Sequence, residues 1–470
     1  MKGKFLAPLS LAGSVAALFF FQIDYVASQA TAQAQQGPSF KASDPGVRGG
    51  AAGAGAPIAG LDSPVFRGET ALFDDGLDTF QEVDAVADGL GPRFNLDSCA
   101  GCHAQPATGG SSPFTNPQVQ FGPKGSKAGA DSLPSFIAAN GPVREARFVT
   151  NPDGTPDGGV HGLFTITGHP GANGCFLAQP DFATALKNDN VIFRIPTPTF
   201  GAGLIEQIQD STIIANQAAN TSQKQSLGIG GKANMQVPGN TITGMTNNNG
   251  NDGTIARFGW KAQNKSLLLF SGEAYNVEQG ISNELFQTER EENPNCQFKN
   301  VPNDFTDGTK PDPRSDIERF AIFMRFLAPP TPSTTTPGGA QSISNGKSLF
   351  SSTGCALCHT PTLMTNPKSQ VAALSGQAAN LYSDLLVHDM GVGLADGVSQ
   401  GEAGPREFRS APLWGLGQRI FFLHDGRTSD LLQAIQQHSS NGSEANGVIN
   451  NFNNLGERSK QDLLNFLRSL

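Results

Sequence analysis

The sequence predicts a mainly α-helical protein with long irregular loops, arranged as two domains of which the first carries large insertions. Three observations predict this. The triplet Cys-x-x-Cys-His occurs twice, in LDSCAGCHAQP and far downstream in STGCALCHTP. Apolar residues recur at helical spacing in a few segments only, around Phe73, around Phe320 and at the C-terminus. Gly (56) and Pro (31) are abundant and spread along all 470 residues, which fits a folded chain rich in loops better than a disordered one.

The triplets carry the chemistry. They comprise Cys99, Cys102 and His103, then Cys355, Cys358 and His359. A zinc site would need a second pair of ligands nearby. A redox dithiol needs no histidine. Covalent haem attachment needs all three groups, because two thiols add to the haem vinyls and the adjacent imidazole takes the iron from one side. Two c-type haems are therefore expected, attached through Cys99, Cys102, Cys355 and Cys358, with His103 and His359 as iron ligands.

That chemistry calls for export. Lys2 and Lys4 precede an apolar run from Phe5 to about Phe21, and small-x-small sites follow, including Ala32-Gln33-Ala34. This reads as a signal peptide over residues 1–34, with a retained anchor as the alternative. No later segment is apolar enough to span a bilayer, so a periplasmic location is expected. A formal net charge of −9 argues against nucleic acid and against a basic membrane-binding face. Cys175 and Cys296 belong to neither triplet. An oxidising compartment permits a disulfide between them, and two separate buried thiols are the alternative.

Along the chain, residues 35–60 read as a flexible linker. A helix follows from about Pro64 to Val83, with Phe66, Phe73, Leu77 and Phe80 on one face. Residues 61–328 form the first haem domain, irregular between the first triplet and about residue 310. It closes on a helix in DPRSDIERFAIFMRFLAPP, capped by Ser315 or Asp316, with Ile317, Phe320 and Phe323 or Met324 facing inward. Residues 329–339 (PPTPSTTTPGG) read as a linker, and 340–470 as the second domain. There a helix from Gln341 to Phe350 precedes the triplet and another, ERSKQDLLNFLRSL, ends the chain. That is a cytochrome c layout, expected in both domains.

The sixth position of each iron decides between carrier and reactive site. For the second haem the candidates are Met364, His388, Met390, His424 and His438. In TSDLLQAIQQHSS, Thr428 or Ser429 is expected to cap a helix on which Leu431, Ile435 and His438 share a face, favouring His438.

The segments DGLGPRFNLDSCAGCHAQP, ARFGWKAQNKSLLLFSGEAYNVEQGIS, LLVHDMGVGLADG, REFRSAPLWGLG and FFLHDGRTSDLLQAIQQH resemble the di-haem oxidoreductase family. That family is akin to bacterial di-haem cytochrome c peroxidases, the methylamine-utilisation di-haem enzyme and the di-haem rubber oxygenases. The resemblance covers most of residues 61–470. It implies that the haem on His103 is the reactive one. It aligns His438 with the distal ligand of the electron-transfer haem, where peroxidases usually carry Met. The departure implies a bis-His haem of lowered potential, as in the rubber oxygenases. It makes Trp260 the carrier of electrons between the haems. Glu278, in YNVEQGI, is matched to the acid over the reactive iron, with Gln279 where peroxidases have Met; Tyr275 would line the same pocket. His161 and His169 are candidates to cap the first iron at rest. Calcium lies between the haems of the peroxidases, and the Asn- and Asp-rich loop 246–252 gives no basis for assigning it here. The implied activity is reduction of peroxide, or activation of dioxygen, with electrons from a redox protein or a small reductant. A non-catalytic di-haem cytochrome and an oxygenase acting on an apolar substrate are the alternatives.

Overall fold

The first buried layer is helical. Helix α1 (Glu69–Gln81) lies along α3 (Asp316–Phe326), and α2 (Leu267–Gln279) packs on α3 from another side. These helices form where the apolar spacing puts aromatic rings on one face. Phe73 and Phe80 of α1 meet Phe323 of α3 with ring centroids 5.4 and 4.8 Å apart. Gly76 lets the two helices touch: a Cβ there would stand 2.6 Å from the Arg319 carbonyl oxygen. The cap of α3 is Ser315, in a capping box with Glu318, and both Phe323 and Met324 are buried.

The structure, a computed structural model, describes residues 40–470 apart from 63–67, 92, 122–132, 156–165, 168–170, 176, 237–240, 243–244, 247–253 and 288–292. The signal peptide, most of loop 246–252, His161 and His169 lie outside the described residues.

A second core forms where α4 (Gly339–Thr353) crosses α6 (Glu457–Ser469). Gly346 is the crossing point, because a Cβ there would lie 2.0 Å from the Asp462 carbonyl oxygen. Phe350 of α4 packs on Phe466 of α6 at 5.5 Å. Residues Lys41–Leu470 make one compact unit. Strands are few and short. Two antiparallel pairs matter below: β1 (Glu145–Phe148) with β2 (Val191–Arg194), and β3 (Val387–Asp389) with β4 (Glu407–Arg409). No helix among the described residues is long and apolar enough to cross a membrane.

Two expectations change. The stretch 35–60, expected as a flexible linker, is fastened over its described part. The Asp44 carboxylate grips the buried Arg468 guanidinium at 2.7 and 2.6 Å, Arg48 donates to the Ser469 carbonyl, and the Ile58 amide donates to the Phe326 carbonyl. Small residues here leave the backbone free to pair, and two charged side chains anchor it. The segment 329–339 is pinned likewise, through Thr331 to Ala52 and Ser333 to Ser469. Cys175 and Cys296 form a disulfide, with Cα atoms 4.9 Å apart, inside a small apolar cluster with Val86, Ala172 and Leu177.

Candidate functional site

Each triplet opens into a cavity. The first sits on a single helical turn, Cys99–Cys102, with His103 at its end. His103 is buried, and its Nδ1 donates to the Gly110 carbonyl at 2.9 Å. The second triplet begins with a turn at Cys355–Leu357, and His359 Nδ1 donates to the Tyr382 carbonyl at 3.0 Å. Burial pushes both imidazoles down to about 4, so both are neutral. A neutral ring whose Nδ1 holds the proton keeps a lone pair on Nε2, the form that binds a metal.

The cavity beside His359 spans about 1370 Å³ of non-atom space, its open mouth included, and is mostly apolar. His438 lies in its wall with Leu431 and Ile435. Its Nδ1 donates to the Ala434 carbonyl at 2.8 Å, the arrangement already seen at His103 and His359. The preceding helix, α5 (Leu431–Gln436), is capped by Asp430, whose carboxylate accepts from the Gln433 amide at 3.0 Å. Thr428 and Ser429, the expected caps, stand two residues and one residue too early; Thr428 Oγ1 accepts from the Asp430 amide instead. The other candidate ligands sort by their partners. Met364 is half exposed and outside the cavity. His388 has both nitrogens taken, by Asp384 at 3.0 Å and Glu444 at 2.8 Å, which leaves it no lone pair for a metal. Met390 and His424 also line the cavity, and His424 stacks on Phe408 with centroids 4.3 Å apart.

Arg409 and Arg419 provide the test of whether this cavity fits a haem. Both line it, both are buried, and burial pushes both down to about 10. Arg409 Nη1 has no hydrogen-bond partner among the described residues. Buried guanidiniums facing an apolar cavity call for anions. A haem brings two propionates, so the residues fit the group.

The cavity beside His103 spans about 850 Å³ of non-atom space, its open mouth included, and has a more polar lining, with Glu145, Arg147, Arg194, Glu273 and Glu278. Helix α2 lines it with Phe270, Glu273, Ala274, Val277 and Glu278, one face at helical spacing. Glu273 is buried and accepts from Asn264 and, at 3.5 Å, from Gln263. Glu278 lies on the last turn, before Gly280, whose φ of 74° ends the helix. Arg147 reaches the cavity from β1, paired with Glu145 at 2.9 Å. Burial pushes Glu273 up to about 7 and Glu278 up to about 8; the negative charge of Glu145 raises both further, and Arg147 opposes the rise. Gln400 Nε2 is buried here without a partner, a donor facing the same space. The triplet, the neutral His103 and this donor fit a second haem.

Tyr275 turns away from this cavity. Its hydroxyl donates to Asp84 at 3.0 Å and its ring packs on Phe320, because it lies on the side of α2 opposite Glu273 and Val277. Trp260 lines both cavities, with Nε1 donating to the Ile195 carbonyl at 3.0 Å. The sequence reading missed Glu273, Arg147, Arg409 and Arg419. The spacing of Phe270, Glu273, Val277 and Glu278 held the signal for the first.

The family model described as "Di-haem oxidoreductase, putative peroxidase" matches residues 149–470, more than half of the chain. The chain belongs to this family. Among solved structures, the diheme peroxidase BthA from Burkholderia thailandensis E264 is 13% identical, over 92% of this chain and 94% of that one, with a TM-score of 0.35. The Kuenenia stuttgartiensis hydrazine synthase is 17% identical, over 34% of this chain and 56% of that one, with a TM-score of 0.22. Neither likeness carries an argument here. No curated protein matches the chain. A di-haem oxidoreductase requires two haem sites, and the two triplets open into two cavities. Among the described residues, no cluster of three or more His, Cys, Asp or Glu is arranged to hold a further metal ion.

Proposed function

We propose that the chain is an exported, periplasmic di-haem c-type oxidoreductase of the peroxidase kind, built of two cytochrome c-like units. Cys99, Cys102 and His103 would hold one haem. Cys355, Cys358, His359 and His438 would hold the other, and Arg409 and Arg419 would supply cations for its propionates. When bound, the haems supply the redox chemistry: reduction of hydrogen peroxide, or activation of dioxygen, at the His103 site, with electrons delivered from the His359 site.

The chain's own groups do the remaining work. Glu278 takes a proton from one peroxide oxygen and returns it to the other, which helps the O–O bond break. Glu145, Glu273 and Arg147 set the charge around Glu278. Trp260, shared by both walls, is the route for charge between them. His438 closes its own site to substrate, and the apolar lining there excludes water. The donor of electrons is a redox protein or a small reductant.

One observation carries this reading: carboxylates line one cavity and a second Nδ1-anchored imidazole lines the other. A spectrum of the oxidised holoprotein tests it. One high-spin and one low-spin haem, with rapid reaction of the reduced protein with peroxide, is the expected result. Two low-spin haems and no reaction would make the protein a carrier. Consumption of dioxygen with an apolar substrate, and none of peroxide, would make it an oxygenase. Cell fractionation checks the location.

A further inference from the structure

The partition between the two cavities holds a buried cation that none of the roles above uses. Lys261 follows Trp260 directly, and its side chain is 0% exposed. An ammonium has three N–H donors. Here they meet three oxygens: the Gly404 carbonyl at 2.9 Å, the Glu407 carbonyl at 2.9 Å and Asp396 Oδ1 at 3.1 Å. The ammonium also sits 4.0 Å from the centroid of Phe408, a ring that lines the His359 cavity and stacks on His424. Asp396 is shared, because its other oxygen pairs with Arg194, which lines the His103 cavity.

The charges do not cancel. Lys261 and Arg194 face the single carboxylate of Asp396, which leaves one net positive charge in the wall. The Glu407 carboxylate is partly exposed and is engaged at the surface by Lys232 at 2.7 Å and by the Gly404 amide. Burial of an ion pair is weak evidence for stability, since apolar residues of like volume often serve as well. A fully caged cation that shares its one carboxylate with Arg194, beside the residue shared by both cavities, therefore points to electrostatics.

We propose that Lys261 is the fixed cation of this partition, a positioning residue that favours the reduced state of both haems and disfavours loss of an electron from the Trp260 indole. The proposal rests on the two-haem reading. A buried positive charge stabilises an added electron nearby, and screening is weak there. It follows that Trp260 passes an electron hole onward instead of retaining it.

The groups facing Lys261 are Asp396, Arg194 and the Glu407 carboxylate, with the neutral His424 beyond Phe408 and the Arg409 guanidinium bound to the Gly259 carbonyl. Burial pushes Lys261 down to about 8, Arg194 adds to the fall, and Asp396 opposes it. Loss of its proton as pH rises through that value leaves the wall neutral, so both haems become harder to reduce.

The test is spectroelectrochemical titration of the holoprotein between about pH 6 and pH 10. Wild type should show both haems harder to reduce above about pH 8. Lys261→Met should shift the reduced-to-oxidised ratio down roughly tenfold at the acid end, about 59 mV for one electron, and abolish the alkaline fall at the haem of the His359 cavity, while the haem of the His103 cavity keeps the part of the fall that Glu273 and Glu278 cause. Lys261→Arg should match wild type at the acid end and stay flat at the haem of the His359 cavity, because a guanidinium keeps its charge. Equal behaviour of Lys261→Met and Lys261→Arg would overturn the proposal, as would wild type with two haems and no alkaline fall, a result that needs no variant. A wild-type protein without two haems would instead remove the reading beneath it.

Discussion

The His103 cavity draws on α2 and the β1–β2 pair, which bring Glu273, Glu278 and Arg147 to it. The His359 cavity draws on α5, the turn that follows it and β4, which bring Leu431, Ile435, His438 and Arg409. The same triplet opens both, and the same Nδ1-to-carbonyl bond orients each histidine. What differs is the opposite wall. One wall offers buried carboxylates; the other offers an imidazole and an apolar lining. On the proposed reading a repeated attachment motif fixes a cofactor, and the residues facing it decide its use.

The largest effect would break the comparison at its root. Cys99→Ala with Cys102→Ala should leave one covalent haem, and Cys355→Ala with Cys358→Ala should leave the other. Haem-stained denaturing gels and intact mass count them. A wild-type mass lacking two haems would end the two-cavity reading. Next in size is Glu278→Gln. General acid–base help is worth about a hundred- to ten-thousand-fold, so the stopped-flow rate of the reduced protein with peroxide should fall within that range. Both resting spectra should stay near wild type, since the change keeps size and shape. An unchanged rate would place the acid elsewhere or make dioxygen the oxidant.

His438→Gly should convert the low-spin signal of the haem at His359 to high-spin and leave the haem at His103 as it was. That outcome would make the two cavities alike at the iron, so the remaining difference in peroxide reactivity would isolate the contribution of the α2 glutamates. A persistent low-spin signal would hand the ligand role to Met390 or His424, the other candidates in that wall. A smaller effect is expected at the shared residue. Trp260→Phe should leave the first contact with peroxide fast and slow the appearance of oxidation at the second haem severalfold. Redistribution at the wild-type rate would make Trp260 packing only.

Much of this was legible because it is written at short range. Each triplet marks a cavity within five residues, and the spacing of Leu431, Ile435 and His438 brings all three into one wall, although the helix ends at Gln436 and His438 lies just beyond it. The capping box of α3 was readable for the same reason. What stayed hidden depends on partners distant in sequence. Asp44 reads as one acid in a Gly- and Ala-rich stretch until Arg468 is beside it. Arg409 and Arg419 read as surface charges until the fold buries them. Lys261 reads as an ordinary lysine until Gly404, Glu407 and Asp396 cage it. Glu273 was within reach of the sequence, since it shares the α2 face with Glu278, and a glutamate on an apolar stripe is a signal in itself.

Glu273 gives the smallest expected effect and the finest test, because its sign is opposite to that of Glu278. If Glu278 works as a carboxylate that accepts a proton, the rate with peroxide should climb as pH rises toward about 8 and then level. Burial is the main cause of that high value, and the charges of Glu145 and Glu273 raise it further while Arg147 opposes them. Glu273→Gln removes one of the negative charges. The Glu278 carboxylate then forms at lower pH, and the rising limb should move toward acid by roughly one unit or less. Near neutral pH the rate should therefore increase slightly instead of falling. Glu278→Gln, in contrast, should erase the limb altogether. Stopped-flow traces at a series of pH values separate the two variants. If Glu273→Gln loses as much rate as Glu278→Gln, the proton passes through Glu273, and the deeper carboxylate of α2 is the working base of the His103 cavity.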